Sequence, residues 1–305
     1  MIEDNGFDLD LHPTHGAVIY NISDEQRESP GYDDECFQEM VRQFKAEKGP
    51  KYMLHTGDQC DWLRPTMREK VGAALAGDPS ARKMLDDMVI RTQDKFLDEY
   101  SPFEGRTIGC HEGHHSWRLM SGITTDQRFA SAMRARHLGW IAATRLRLFR
   151  TDAKGNRLAR SGASSKTMLS THGSGGGKAA GSDASAIDGL AKAFFADIYV
   201  RGHSCGGLTM PGVARREIRR EGALGTIRRT PWYVNVPGMC EGFTNGWETS
   251  YAERAGFLPK SLGWATTRFR IVQRKAIAAD NGLKAPRKQY ANSVDVSAQI
   301  HIFGQ

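Results

Sequence analysis

Five short pieces of the chain carry residue types suited to holding metal ions and moving protons. They are Asp10-Leu11-His12, Gly57-Asp58-Gln59-Cys60-Asp61, Gly109-Cys110-His111-Glu112, His172-Gly173 and Gly202-His203-Ser204-Cys205. Each puts an Asp, His or Cys at the expected end of a short apolar run, where a strand hands its last side chain to a cleft. Two divalent cations about 3.5–4 Å apart need a shared carboxylate, several neutral imidazoles and an opening for water and substrate. The pieces supply the carboxylates and imidazoles for such a hydrolytic centre, with cysteine at two further positions.

These residues need elements to position them. Strand-like runs precede four of the pieces: Lys51 to Thr56, Arg106 to Ile108, Thr167 to Thr171 and Asp197 to Val200. Such short apolar runs, most of them bounded by glycine, are typical of buried strands in α/β proteins. Helical spacing lies between them. Asp33 to Lys48 sets Phe37, Met40, Val41 and Phe44 at i, i+3, i+4 and i+7, with Asp33 or Asp34 as N-cap. Met84 to Tyr100 offers a face of Leu85, Met88, Phe96 and Leu97. A helix capped by Ser182 or Asp183 would present Ile187, Leu190, Ala191 and Phe194. Hairpins are expected from Arg145 to Leu169 and from Leu208 to Val236, the latter turning near Glu221 to Gly225. Strands alternating with helices, followed by hairpins, predict an α/β chain in which two packed sheets are covered by helices. Residues 1–273 are expected to form the domain. A polar stretch, 274–305, forms a C-terminal tail with little periodicity before Val294 to Phe303.

A chain of 305 residues with 39% hydrophobic content can bury a substantial core. No apolar run approaches a membrane span, and the first residues lack the basic and apolar regions of a secretory signal. The five cysteines, Cys36, Cys60, Cys110, Cys205 and Cys240, are odd in number and follow no disulfide framework. A cytoplasmic protein with no membrane partner is expected. A net charge of +7 favours an anionic partner such as a phosphate ester, DNA or RNA. Arginines cluster from Arg134 to Arg150 and at Arg215-Arg216, Arg219-Arg220 and Arg228-Arg229, where solvated faces and guarded strand edges are an equal explanation.

In their order, D-x-H, G-D-x-x-D, G-N-H-E, H-G and G-H-x-H, the five pieces resemble the calcineurin-like metallophosphoesterase superfamily, over Asp10 to about Cys205. The run His172 to Lys178, a helix, then Asp197 to His203 is similar to its bacterial and phage members. The resemblance implies a four-layer sandwich of two packed sheets flanked by helices, and two divalent metal ions (Zn, Fe or Mn). It implies hydrolysis of a phosphate ester by a two-metal-activated hydroxide. Asp10 and His12 would bind the first metal, Asp58 would bridge, and His172 and His203 would bind the second. His111 would protonate the leaving oxygen and Asp61 would orient it. Arg118, shortly after His111, could clamp a phosphate oxygen or face solvent.

Two positions depart from the family. Cys110 stands where an Asn binds the second metal, and Cys205 where a His binds the first. Either they bind, and the softer thiolates favour zinc or iron, or they are small buried thiols and each metal is one ligand short. His114 and His115 could substitute as ligands, face substrate or lie exposed. Histidines outside the pieces, such as His55 and His137, are expected to be structural. The glycine run Gly173 to Lys178 has Ala179 where a phosphate-cradling loop needs Ser or Thr, so backbone freedom beside His172 is its simplest role, with phosphate contact by Lys178 secondary. The function expected is a metal-dependent phosphoesterase acting on a phosphodiester of nucleic acid or nucleotide. A phosphomonoesterase fits the motifs equally. The alternative is a degenerate member, with weakened metal sites, that binds nucleic acid or a protein without turnover.

Overall fold

The computed structural model describes residues 4–62, 65–158, 164–175, 181–221, 223–241, 260–276 and 289–304. Its backbone is organised by two mixed six-stranded sheets. The first runs in the order β1 (Asp4–Leu11), β6 (Ile141–Arg150), β7 (Ser164–Thr171), β8 (Ile198–Arg201), β12 (Trp232–Asn235) and β9 (Leu208–Pro211). The second runs β14 (Gln289–Ile302), β13 (Gly263–Ala276), β2 (Ala17–Ile22), β3 (Lys51–His55), β4 (Thr107–His111) and β5 (Arg136–Gly139). A separate antiparallel ribbon joins β10 (Arg215–Glu221) to β11 (Ala223–Arg229).

One core lies between the sheets. Leu9, Leu11, Leu146, Met168, Val200 and Val234 of the first sheet meet Ile19, Leu54, Ile108, Leu138, Ala265 and Phe269 of the second. The outer face of the second sheet is covered by α1 (Asp34–Ala46), α3 (Pro79–Leu97) and α4 (Thr125–Ala132), through Phe37, Phe44, Phe96 and Phe129. Preceding α3 is α2 (Pro65–Ala74). The outer face of the first sheet packs Leu169, Tyr199 and Tyr233 against Ile187 and Ala191 of α5 (Gly181–Ala193). Each fully buried Phe or Leu contributes about 1.5–3 kcal/mol by leaving water, so these three clusters are the main source of stability.

The local chemistry explains the elements. The six residues of β2, Ala-Val-Ile-Tyr-Asn-Ile, are all buried, as a central strand covered on both faces requires. Asp33 caps α1 by accepting from the Cys36 N–H at 2.8 Å. A capping box at Thr124 and Gln127 starts α4. The expected hairpin from Arg145 is the antiparallel pair β6–β7, and the one from Leu208 is β9–β12 with the ribbon inside it.

Three expectations need correction. The face predicted for the second helix holds only in part: Phe96 is buried and Leu97 packs against the core, but Met88 is 52% exposed, while Asp86 and Gln93 are buried. Asp86 is held there by the Trp117 indole at 2.8 Å and the Met120 N–H at 2.6 Å, so hydrogen bonding joins hydropathy in setting the inward face. Phe194 falls after the end of α5 and is 40% exposed. The boundary drawn at residue 273 falls inside β13, and residues 289–302 pair with β13 along its whole length.

Candidate metal centre

Strands β2, β3, β4 and β5 are mutually parallel, and so are β7, β8 and β12. The segments leaving the carboxyl ends of β2, β3, β4, β7 and β8 converge, which is where open α/β sheets bind ligands. One ligand atom each from Asp58, His114, His172 and His203 lies within 4.8 Å of all the others. Asp58 follows β3, His114 follows β4, His172 follows β7 and His203 follows β8.

Asp24, after β2, joins them. The His203 N–H donates to Asp24 Oδ2 at 2.8 Å, and Ser23 Oγ donates to the same oxygen. The backbone locks these turns together: Asp24 N–H to the Gly57 carbonyl and Gln26 N–H to the Asp58 carbonyl, both 3.0 Å. Asp24, Gln26, Asp58, His203 and Cys205 all adopt left-handed φ, between 47° and 68°. Such conformations cost a non-glycine residue about 1–3 kcal/mol, and they gather where function requires them. Close packing makes glycine obligatory next to them. A Cβ on Gly57 would lie 2.7 Å from His172 Nδ1, and one on Gly113 would lie 2.0 Å from Asp58 Oδ1.

The electrostatics suit a cation. Asp24 Oδ1 is a buried acceptor without a hydrogen bond among the described residues, although such atoms are nearly always satisfied, and Asp58 Oδ2 has its closest partner in the His172 ring. His172 Nδ1 donates to the Thr56 carbonyl at 2.7 Å, and this bond orients Nε2 toward Asp58 Oδ2, 3.1 Å away. Because carbonyls only accept, Nδ1 carries a proton and Nε2 is the atom offered to the cluster. Burial disfavours the charged ring, but the Asp58 carboxylate overcomes it and lifts His172 to about 9. The same partner, with His115, holds Asp58 well below the usual carboxylate range against its burial. Burial raises Asp24, with His172 opposing and Asp58 adding to the rise. His203 is pushed down to about 3 by burial and by the neighbouring His172 and His114, leaving a neutral imidazole. One carboxylate and three imidazoles can therefore hold a metal ion.

A second pair stands beside this cluster. His115 Nδ1 lies 2.7 Å from Asp61 Oδ1, its N–H donates to Asp58 Oδ1 at 2.9 Å, and its side chain is 19% exposed. The loop that carries His114 and His115 is held from below. The Gly113 N–H donates to Asp126 Oδ2 at 2.9 Å, and Gln59 Nε2 donates to Asp126 Oδ1 at 2.8 Å. Burial lifts Asp126 to about 6.

The sequence-predicted residues divide into two groups. Asp58, Asp61, His172 and His203 are brought together, with His114 and His115 among them. Asp10 and His12 are not, which is a correction of register. Strand β1 is parallel to β6, and β6 is antiparallel to β7, so β1 ends at the opposite edge of the sheet from His172. Asp10 pairs with Phe149 and Thr171 with Ile141, eight residues apart on β6, which is about 26 Å at ~3.3 Å per residue. Asp10 instead bonds Arg157 at 2.6 Å, and His12 stacks on His15.

His111 also moves out of its expected role. Strand β4 runs through it, and it is fully buried with Nδ1 2.8 Å from the Gly139 carbonyl and Nε2 2.8 Å from Ser170 Oγ. Burial pushes it down to about 3, so it is a neutral structural histidine. Cys110 sits in the core under α4 with Phe129, and burial pushes its thiol well above the usual value. That places it among the inert buried thiols. Cys205 lies near Asp24, whose charge adds to burial in raising the thiol, and its Sγ is 3.9 Å from the His203 carbonyl. It is not one of the four clustered ligands. Arg118 bonds the Gly122 carbonyl at 3.1 Å in its own loop, and Lys178 lies outside the described residues. His55 is structural: Nε2 meets both Glu25 oxygens at 2.9 and 3.0 Å, and Nδ1 accepts from the Gly57 N–H at 3.1 Å.

Sequence reasoning missed Asp24 and Asp126, and it left His114 open as a substitute ligand, a substrate contact or an exposed residue. The apolar run Ala17 to Ile22 ending in Ser23-Asp24 is the signal for the first, being richer than the residues before Asp10. Among the described residues no helix is long and apolar enough to cross a membrane. No family model matches the chain, and no curated protein matches it at a significant level.

Proposed function

We propose that the chain is a metal-dependent phosphoesterase with the four-layer fold of the calcineurin-like superfamily. The observation that carries this reading is the buried group Asp58, His114, His172 and His203 with the His115–Asp61 pair against it. The resemblance is retained on adjusted residues: Asp24 takes the place given to Asp10, and Gly113-His114-His115 takes the place given to Gly109-Cys110-His111. Gly57-Asp58 with Asp61, His172-Gly173 and Gly202-His203 keep theirs.

The clustered ligands would hold one divalent ion, and Asp24, with its buried unsatisfied oxygen, would serve a second shared through Asp58. Bound cations would neutralise charge on a phosphoryl group and acidify water. A donor set of imidazole and carboxylate suits zinc, iron or manganese. His115, held through Nδ1 by Asp61, presents its other ring nitrogen for a proton transfer to the leaving oxygen. His172 and His203 bind and orient, and the hydrogen bond from His172 to Thr56 fixes its tautomer.

Bis- and mono-nitrophenyl phosphate, assayed side by side with protein loaded with zinc or manganese, test the reaction and its ester class. Hydrolysis that is lost on chelation supports the proposal. A protein that holds metal yet turns over neither ester would instead be a binding module.

A further inference from the structure

Trp140 is 48% exposed at the rim of the metal centre. Its ring lies 5.0 Å from that of His114, edge-on at 65°, and 6.4 Å from that of His172. Single exposed apolar residues are common and carry no meaning alone. This one is held in place by its surroundings. The Trp140 carbonyl accepts from Thr171 Oγ1 at 2.7 Å, and Thr171 immediately precedes the ligand His172. The preceding Gly139 has a left-handed φ of 61°, and its carbonyl accepts from the buried His111 ring at 2.8 Å and from the Glu112 N–H at 3.1 Å. Buried His111 and both ligand-bearing loops thus fix a turn whose indole is nonetheless left half in water.

We infer that Trp140 is a stacking platform for the nucleobase of a nucleotide phosphate ester whose phosphoryl group sits at the metal centre. The inference rests on the phosphoesterase reading, and it deepens that reading by naming the substrate class. A flat indole whose ring lies 5.0 and 6.4 Å from two of the clustered imidazoles matches a ligand with a phosphate at one end and an aromatic ring at the other. Base–aromatic stacking tolerates any base because each has a π face, so the platform selects nucleotides over other phosphate esters without reading sequence.

The test compares adenosine 5′-monophosphate with ribose 5-phosphate, which lacks the base, and with phenyl phosphate. Binding to the zinc-loaded protein is followed by stopped-flow indole fluorescence and by competition. The nucleotide is expected to bind about tenfold tighter than ribose 5-phosphate and to quench the indole. Trp140→Ala should abolish that preference with zinc content unchanged, and Trp140→Phe should retain most of it. Equal affinity for the two sugars' phosphates, or a preference that survives Trp140→Ala, overturns the inference and leaves the metal centre standing. Tighter binding of phenyl phosphate than of the nucleotide would assign the platform to aryl esters and overturn the nucleobase. Failure to load zinc removes the phosphoesterase reading, and the inference falls with it.

Discussion

Two adjacent histidines, His114 and His115, divide the chemistry proposed for this centre. His114 offers a ring nitrogen to the metal cluster, while His115 is held by Asp61 at 2.7 Å with part of its ring in solvent. Removing a general acid costs roughly 10²–10⁴ in rate. His115→Ala should therefore lower turnover of a phosphate ester by about that factor, with metal content by elemental analysis nearly unchanged. Loss of metal in step with activity would make His115 a ligand. The ion pair at the heart of the cluster adds a pH dependence. His172 sits near 9 because Asp58 faces it, so at pH 7 the metal-free ring is protonated and an entering cation must expel that proton. Zinc affinity should rise with pH up to about 9, and calorimetry in buffers of differing protonation enthalpy should show proton release. On the acid side His203 and His111 both sit near 3, and His111 is the one outside the metal cluster. Its folded value of about 3 lies below the ~6.5 of an unfolded histidine, so the unfolded chain binds the extra proton between them. Its contribution is fully present above about pH 6.5 and is lost as the pH falls toward 3. Denaturant midpoints at pH 7 and pH 5 should differ less in His111→Gln than in the unaltered protein.

At the scale of elements, the site depends on loops that follow parallel strands and on one helix terminus. Asp126 in the first turn of α4 receives the Gly113 N–H and Gln59 Nε2, so it sets the loop that carries both histidines. Residues that orient ligands typically govern 10- to 100-fold of metal affinity. Asp126→Ala should weaken zinc binding by roughly that much while the α4 capping box keeps the helix, which far-UV circular dichroism would verify. Much of this was legible in the sequence. The strands leading to Asp58, His172 and His203 are short apolar runs ending in glycine and a ligand, and they fold where that pattern puts them. Two registers were not legible. Strand β4 continues to His111, with an irregular pairing between Met53 and Leu54 on β3, so the turn comes several residues later than the apolar run suggests. Asp10 lies one residue before the end of β1 and Asp24 two residues beyond β2; the richer apolar run favours Asp24, but the sheet order is what decides, because β2 is central in its sheet whereas β1 is an edge strand running the other way. Periodicity assigns a strand but not its place in a sheet.

Across the whole molecule, two arginines of the basic clusters, Arg134 and Arg147, and Arg157 beyond them are already neutralised. Arg134 pairs with Glu104 at 2.7 Å, Arg147 with Asp8 at 2.6 Å, and Arg157 with both Asp8 and Asp10. Those pairs are at the surface and contribute at most about 1 kcal/mol each; the ones to Asp8 and Asp10 guard the β1 edge and leave little field for an anion there. On the proposed reading the attraction for phosphate comes instead from a cation held by Asp58, His114, His172 and His203, after the carboxyl ends of β3, β4, β7 and β8. The central claim is that a metal ion is held at these strand ends, by Asp58, His114, His172 and His203, and not at the end of β1. Elemental analysis of protein purified without chelators tests it most directly, comparing the unaltered chain with Asp58→Asn and with the double variant Asp10→Ala, His12→Ala. The account predicts bound metal in the unaltered chain and in the double variant, and its loss in Asp58→Asn; an unaltered chain without metal, or metal lost from the double variant and retained in Asp58→Asn, would contradict it.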